Sequence, residues 1–230
     1  MCGIAGLVRL SPQAPGDLEA HAIRMGAVIA HRGPDDAGVW VQQELGVALA
    51  HQRLAILDLS SAGKQPMSSA SGRYLIAFNG EIYNHNALRS SEGAKGYTFQ
   101  SASDCEVILA LHQNCGTKLV EQLSGMYAFV LFEPETGHWM IARDPMGIIP
   151  LYFGTDSEGQ LWVASEMKAL APVCDDVRLF PPGHVWEKGQ DAPVKFYTRT
   201  WMTGEQPNAP YRPEELRDGL TEAVKKHLMG

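Results

Sequence analysis

The run Tyr127-Ala128-Phe129-Val130-Leu131-Phe132, followed six residues later by Trp139-Met140-Ile141-Ala142, decides how this chain reads. Both runs are apolar and rich in aromatic or β-branched residues, which marks strands. Outward from them, similar short runs recur at residues 4–10, 39–42, 47–50, 74–78, 151–153 and 161–164, many ending in Gly, Asn, Asp or Pro. Helical spacing is confined to three places. In residues 18–30, Ala22, Met25, Val28 and Ile29 share a face, and a second helix surrounds Val107, Ile108 and Leu111. A third, over residues 213–228, repeats Leu216, Leu220, Val224 and Leu228 every fourth position behind Pro213. These helices flank runs of strands instead of alternating with each strand, so the expected class is α+β, antiparallel sheet with helices layered outside it. Residues 204–213 hold three prolines and read as a linker, dividing a body of residues 1–203 from a tail of residues 204–230.

Bulk composition excludes several functions. The 230 residues are 45% apolar and 20% charged, enough for a substantial core. Acidic residues outnumber basic ones 26 to 19, a net charge of -7, which argues against nucleic acid and against anionic membranes as partners. Residues 1–8 are short, lack a basic flank and contain two glycines, unlike a signal peptide or a spanning helix, so a cytoplasmic protein is expected. Cys2, Cys105, Cys115 and Cys174 show no metal or redox spacing and read as reduced thiols. His21, His31 and His51 lie near one another without further ligands at zinc spacing, and no metal site is expected.

Cys2 has unusual chemistry open to it. Removal of Met1 would place a thiol and a free amine on one carbon atom. With reference pKa values of about 8.5 and about 7.7–8.0, the amine can take the thiol proton near neutral pH and return it to a leaving group. Gly3 and Gly6 behind it permit close approach of another backbone or a substrate. Alone, such a cysteine is more often a small buried residue.

The remaining motifs change that balance. Met1-Cys2-Gly3-Ile4, His31-Arg32-Gly33-Pro34-Asp35, Phe78-Asn79-Gly80-Glu81-Ile82-Tyr83-Asn84 and Ser103-Asp104-Cys105-Glu106 together resemble the class II glutamine amidotransferases, which are N-terminal nucleophile hydrolases. Ala142-Arg143-Asp144-Pro145-Met146-Gly147-Ile148-Ile149-Pro150-Leu151-Tyr152 and Ala164-Ser165-Glu166-Met167-Lys168-Ala169-Leu170 resemble glutamine-hydrolysing asparagine synthetases in particular. The resemblance implies a four-layer αββα sandwich and hydrolysis of L-glutamine to glutamate and ammonia through a Cys2 thioester. It implies Asn79 and Gly80 as the oxyanion hole, although Asn-Gly after a strand is also a strong hairpin signal. It matches Arg53 to the substrate α-carboxylate, the backbone of Arg53, Leu54, Ala55, Ile56 and Leu57 to the pocket wall, and Glu81 and Asp104 to the α-ammonium group. Ser103 and Glu106 also fit a capping box, which would place Asp104 at a helix start.

The resemblance gives Arg143 and Asp144 no chemical step, and they read as a packing or ion-pair feature. His31 to Asp35 reads as a loop near the site, shaped by Gly33 and Pro34, and the other cysteines as structural. In the family this domain precedes a synthetase domain whose Ser-Gly-Gly-x-Asp-Ser loop grips ATP. No such segment occurs in these residues, so no cofactor is expected here, and ATP and Mg belong only to that other domain. The implied partner is a synthetase domain or subunit that accepts ammonia, and a homodimer is compatible. The alternatives are a glutaminase serving another acceptor and a non-catalytic module docking on a separate synthetase.

Overall fold

The computed structural model describes residues 1–8, 16–199 and 212–228. Two antiparallel sheets of six strands lie at its centre. In spatial order the first holds β10 (Asp176–Leu179), β8 (Tyr152–Thr155), β9 (Leu161–Ala164), β1 (Gly3–Val8), β3 (Val47–Arg53) and β2 (Asp36–Gln42). The second holds β12 (Val194–Lys195), β11 (His184–Glu187), β7 (His138–Arg143), β6 (Gly125–Glu133), β5 (Leu75–Ile82) and β4 (Met67–Ser68).

Side-chain alternation along the strands builds the layers. Ile4, Val8, Val47 and Leu49 of the first sheet pack against Ala77, Ala128, Val130, Phe132 and Ile141 of the second. The opposite face of the first sheet, with Ala5, Leu7, Ala48 and Ala50, is covered by Leu18, Ala22 and Met25 of α1 (Leu18–Val28) and by Ala169 and Leu170 of α4 (Met167–Leu170). Phe78, Phe129, Leu131 and Met140, on the outer face of the second sheet, meet Leu88 of α2 (His85–Arg89) and the residues of α3 (Glu106–Cys115). The result is the expected αββα sandwich. Val107, Ile108, Leu109, Ala110 and Leu111 are all fully buried, so α3 is enclosed on every side up to His112, and only its last turn, with Gln113 and Asn114, reaches solvent.

Several local expectations change. Asn79-Gly80 is not a hairpin turn, because β5 runs on to Ile82 and pairs with β6 at each position, Asn79 opposite Ala128 and Gly80 opposite Tyr127. Gly80 makes this possible at φ +146°, where a Cβ would run into the carbonyl oxygen of Met126. The Ser103–Glu106 capping box does not form. Helix α3 starts at Glu106, whose carboxylate instead accepts from the N–H groups of Gln100 and Ser101, each at 2.8 Å, and from the Ser101 hydroxyl at 2.6 Å. Arg143 and Asp144 form no ion pair with each other. Arg143 donates to the carbonyls of Ile149 (2.6 Å), Phe180 (2.6 Å) and Gly147 (2.8 Å), while Asp144 accepts from the N–H groups of Met146, Ile148 and Ile149, each at 3.0 Å. They satisfy the backbone of a loop that has no ladder of its own.

The last helix, α5 (Pro213–His227), forms where the spacing places it, but Leu216, Leu220 and Val224 are each more than half exposed. Its contact with the body runs through His227, whose Nε2 lies 2.8 Å from the Tyr83 hydroxyl. The linker assigned to residues 204–213 lies outside the described residues except for Arg212 and Pro213.

Candidate active site

Strand β1 begins one residue after Cys2 and pairs Gly3 with Gln52 of β3, which fixes Cys2 beside the end of β3. There the Leu54 N–H points at the Cys2 sulfur from 3.4 Å, and the thiol faces the Leu54 carbonyl at 3.6 Å. Burial pushes the thiol pKa up, opposed by the Leu54 hydrogen bond, the chain's terminal charge and Arg53. A buried neutral thiol of this kind needs an adjacent base before it can attack. Cys2 faces a pocket whose walls come from both sheets: Arg53, Leu54, Ile56 and Leu57 follow from β3, and Phe78, Asn79, Gly80 and Glu81 come from β5. Asp104, just ahead of α3, and Met1 also line it.

Asn79 is 1% exposed, yet neither its Nδ2 nor its Oδ1 has a hydrogen-bond partner. A buried amide left without partners is unfavourable by about 1–3 kcal/mol, so its place in the wall beside Cys2 marks a donor held ready for something that enters. The strand behind it is braced. His51 Nε2 lies 2.9 Å from the Phe78 carbonyl, tying β3 to β5, and the Phe78 N–H donates to Gln65 Oε1 at 2.6 Å. Burial drives the His51 pKa down to about 4 despite that carbonyl contact, so the ring is neutral and donates.

The pocket carries charged groups of both signs. Arg53 is buried, its guanidinium anchored on the carbonyls of Ser60 (2.9 Å) and Asp58, which takes two of the fork's five donors. Gly63 leaves the space that the Arg53 fork fills. Asp104 accepts from the Ile82 N–H at 2.7 Å. Burial raises the pKa of both Asp104 and Glu81, partly offset by the Ile82 N–H for the first and by His227 for the second. No ion pair with a Lys or Arg satisfies either carboxylate among the described residues, so both favour a cation. The pocket thus carries a guanidinium that suits an anionic group and two carboxylates that suit an ammonium, together with the thiol and the idle amide.

The structure brings together Cys2, Arg53, Leu54, Ile56, Leu57, Asn79, Gly80, Glu81 and Asp104, all of which line this pocket. Ala55 is the exception: its N–H turns outward to Asp35 Oδ2 at 2.8 Å and it does not line the pocket. Asp58, Gly63, Gln65 and Met126 also line it and escape the sequence reading, since no motif surrounds them and only tertiary closure brings them in. The loop containing His31 to Asp35 does reach the site. Arg32 Nε donates to the Cys2 carbonyl at 2.9 Å, and Asp35 N–H donates to the Arg53 carbonyl at 3.0 Å.

Comparison with known proteins agrees with this geometry. The model of a family described as a glutamine amidotransferase domain matches residues 1–195. Asparagine synthetase B [glutamine-hydrolyzing] of Escherichia coli (strain K12) is 43% identical over 233 residues, covering 100% of this chain and 41% of its own length. Asparagine synthetase [glutamine-hydrolyzing] 3 of Arabidopsis thaliana is 39% identical over 229 residues, covering 100% of this chain and 39% of its own. The chain therefore spans about two-fifths of the length of the curated relatives it matches. Among solved structures, glutamine phosphoribosylpyrophosphate amidotransferase from B. subtilis superposes with a TM-score of 0.68 at 22% identity, covering 84% of this chain and 48% of that one. The allosteric regulatory enzyme of purine biosynthesis gives 0.68 at 21%, covering 86% and 50%. These likenesses give the fold, the two-sheet sandwich described above. The match over residues 1–195 makes this chain a member of the glutamine amidotransferase domain family.

Proposed function

We propose that this chain hydrolyses the side-chain amide of L-glutamine through a thioester on Cys2. The observation that carries the reading is Asn79, a fully buried amide without a partner in the same pocket as the thiol. Removal of Met1 frees the Cys2 amine, which takes the thiol proton as the sulfur attacks the amide carbon. The carbonyl oxygen becomes an oxyanion facing Asn79 and Gly80, where a preorganised donor is worth on the order of 3 kcal/mol. When the carbon–nitrogen bond breaks, the amine returns its proton to the departing ammonia. Water then attacks the thioester, the carbon–sulfur bond breaks, and glutamate leaves with Cys2 restored. Arg53 holds the α-carboxylate, and Glu81 and Asp104 hold the α-ammonium, which sets the side-chain amide over the sulfur. None of these steps calls for a metal or cofactor.

The body, residues 1–203, carries this chemistry, and residues 204–230 lead toward the acceptor. By likeness to its relatives the ammonia is spent on ATP-dependent amidation of aspartate by a synthetase partner, in the cytoplasm. The test measures glutamate released from glutamine by purified chain, together with the N-terminal mass. Active protein should start at Cys2, and Cys2→Ala should release none. Full activity with Met1 still attached, or unchanged release in the alanine variant, would overturn the mechanism.

A further inference from the structure

Around the first residues of β1 lies a second set of contacts that the hydrolytic steps do not use. The Ile4 N–H donates to Ser165 Oγ at 2.9 Å, and the Ser165 N–H returns a bond to the Ile4 carbonyl at 2.8 Å. Next to Ser165, Glu166 gathers three basic side chains: Arg32 Nη1 at 3.0 Å and His31 Nε2 at 2.8 Å on Oε1, and Lys168 Nζ at 3.1 Å on Oε2. Burial alone would raise the carboxyl, but hydrogen bonds from Arg32, Lys168 and His31 outweigh it and hold its pKa at about 2.

The arrangement singles out Glu166 because of what Arg32 holds in turn. Its Nε bonds the main-chain carbonyl of Cys2, the residue whose sulfur and nitrogen do the chemistry. The third nitrogen, Nη2, is buried with no partner, so the guanidinium is fixed at two points, Cys2 and Glu166. Among the described residues Glu166 is also its one ionic partner. Removing that carboxylate leaves Arg32 and Lys168 without an anion between them and frees the guanidinium to swing about its remaining bond, taking the Cys2 carbonyl with it. The α-carbon of Cys2 carries both nucleophile and base, so a rotation there misaligns both at once, while Arg53, Glu81 and Asp104, none of which bonds Arg32 or Glu166, keep their hold on the substrate's other end.

We propose that Glu166 is a positioning residue for Cys2, acting through Arg32 to fix the main chain that presents the thiol and the α-amine. The inference rests on the reading of Cys2 as the nucleophile. In Glu166→Gln, which keeps the shape and removes the charge, kcat for glutamate release should fall roughly tenfold to a hundredfold, with KM for glutamine within about twofold of the parent. Glu166→Asp keeps the charge but draws it back from Arg32, and should recover part of the loss. Alkylation of Cys2 by iodoacetamide, followed by the mass of the N-terminal peptide, should slow by at least about threefold in Glu166→Gln. Parent kcat and parent alkylation rate in that variant overturn the proposal, as does a loss carried mainly by KM. If the parent releases no glutamate, the functional reading fails by itself and the alkylation comparison still decides the role of Glu166. If Glu166→Gln does not fold, Glu166→Asp decides: an intermediate kcat at unchanged KM supports the role, and a parent kcat refutes it.

Discussion

Replacing Asn79 by alanine should make the protein more stable and nearly inactive. Asn79 is 1% exposed and neither of its amide atoms has a partner, so the folded state bears the desolvation of a carbonyl and an NH2 group. Deleting both recovers part of the roughly 1–3 kcal/mol that such a group forfeits. The atoms removed border an existing pocket, so no dry void opens to offset the gain. A net gain of about 1–2 kcal/mol corresponds to a rise in melting temperature of roughly 3–6 °C for a chain of this size. In the same variant kcat for glutamate release should drop by about 10²–10³, the usual loss when one oxyanion donor goes. Scanning calorimetry and an enzyme-coupled glutamate assay on one preparation read both quantities. A melting temperature that falls several degrees while kcat stays within a few-fold of the parent would refute the reasoning, because Asn79 would then be a satisfied structural amide.

Gly80→Ala should destabilise by about 3 kcal/mol, seen as a shifted urea midpoint, because the residue sits at φ +146° and a Cβ meets the Met126 carbonyl; an unshifted midpoint contradicts that geometry. Asp104→Asn should raise KM for glutamine roughly tenfold or more with a smaller change in kcat, since the proposed mechanism has it hold the α-ammonium together with Glu81, and steady-state kinetics separates the two. Acid should unfold the protein in two stages. His51 and His112 are held neutral by burial, both with pKa near 4 against 6.5 when unfolded, so the unfolded chain binds protons first and stability declines as pH falls from about 6.5 to about 4, by up to ~3 kcal/mol for each ring. Glu166, held at about 2, adds its loss only below about 4.5. Denaturation midpoints that stay flat between pH 7 and pH 4.5 would contradict the histidine assignment.

The central strands were legible because their runs are long and apolar, and the layers followed from helices placed outside them. The strands that escaped notice, β4, β10, β11 and β12, are two to four residues long, too short for a period to announce them, and Asp176, Arg178, Leu179, Val194 and Lys195 on β10 and β12 are exposed besides. Asn79-Gly80 misleads for a physical reason. The dipeptide favours a turn locally, yet the whole length of β5 finds a partner in β6, and that pairing outweighs the local preference. Glu106 likewise had two backbone targets within reach, and spacing along the chain could not show that the 100–101 segment folds over it. Most pocket residues were readable from motifs. Gln65 was not, because its importance lies in a bond to Phe78, thirteen positions away, that exists only once β4 has paired with β5.

The loop after β7 has a consequence for how this surface tolerates change. Its main chain is held from below by two side chains, Arg143 on carbonyls and Asp144 on N–H groups, while Met146 and Ile148 stand about half exposed and their side chains support no part of that backbone. Tolerance to substitution should therefore alternate sharply along six residues: 143, 144 and 147 intolerant, 146 and 148 permissive. A loop built this way keeps its course while its outward residues vary, so evolution can rewrite the chemistry displayed there without renegotiating the fold beneath it.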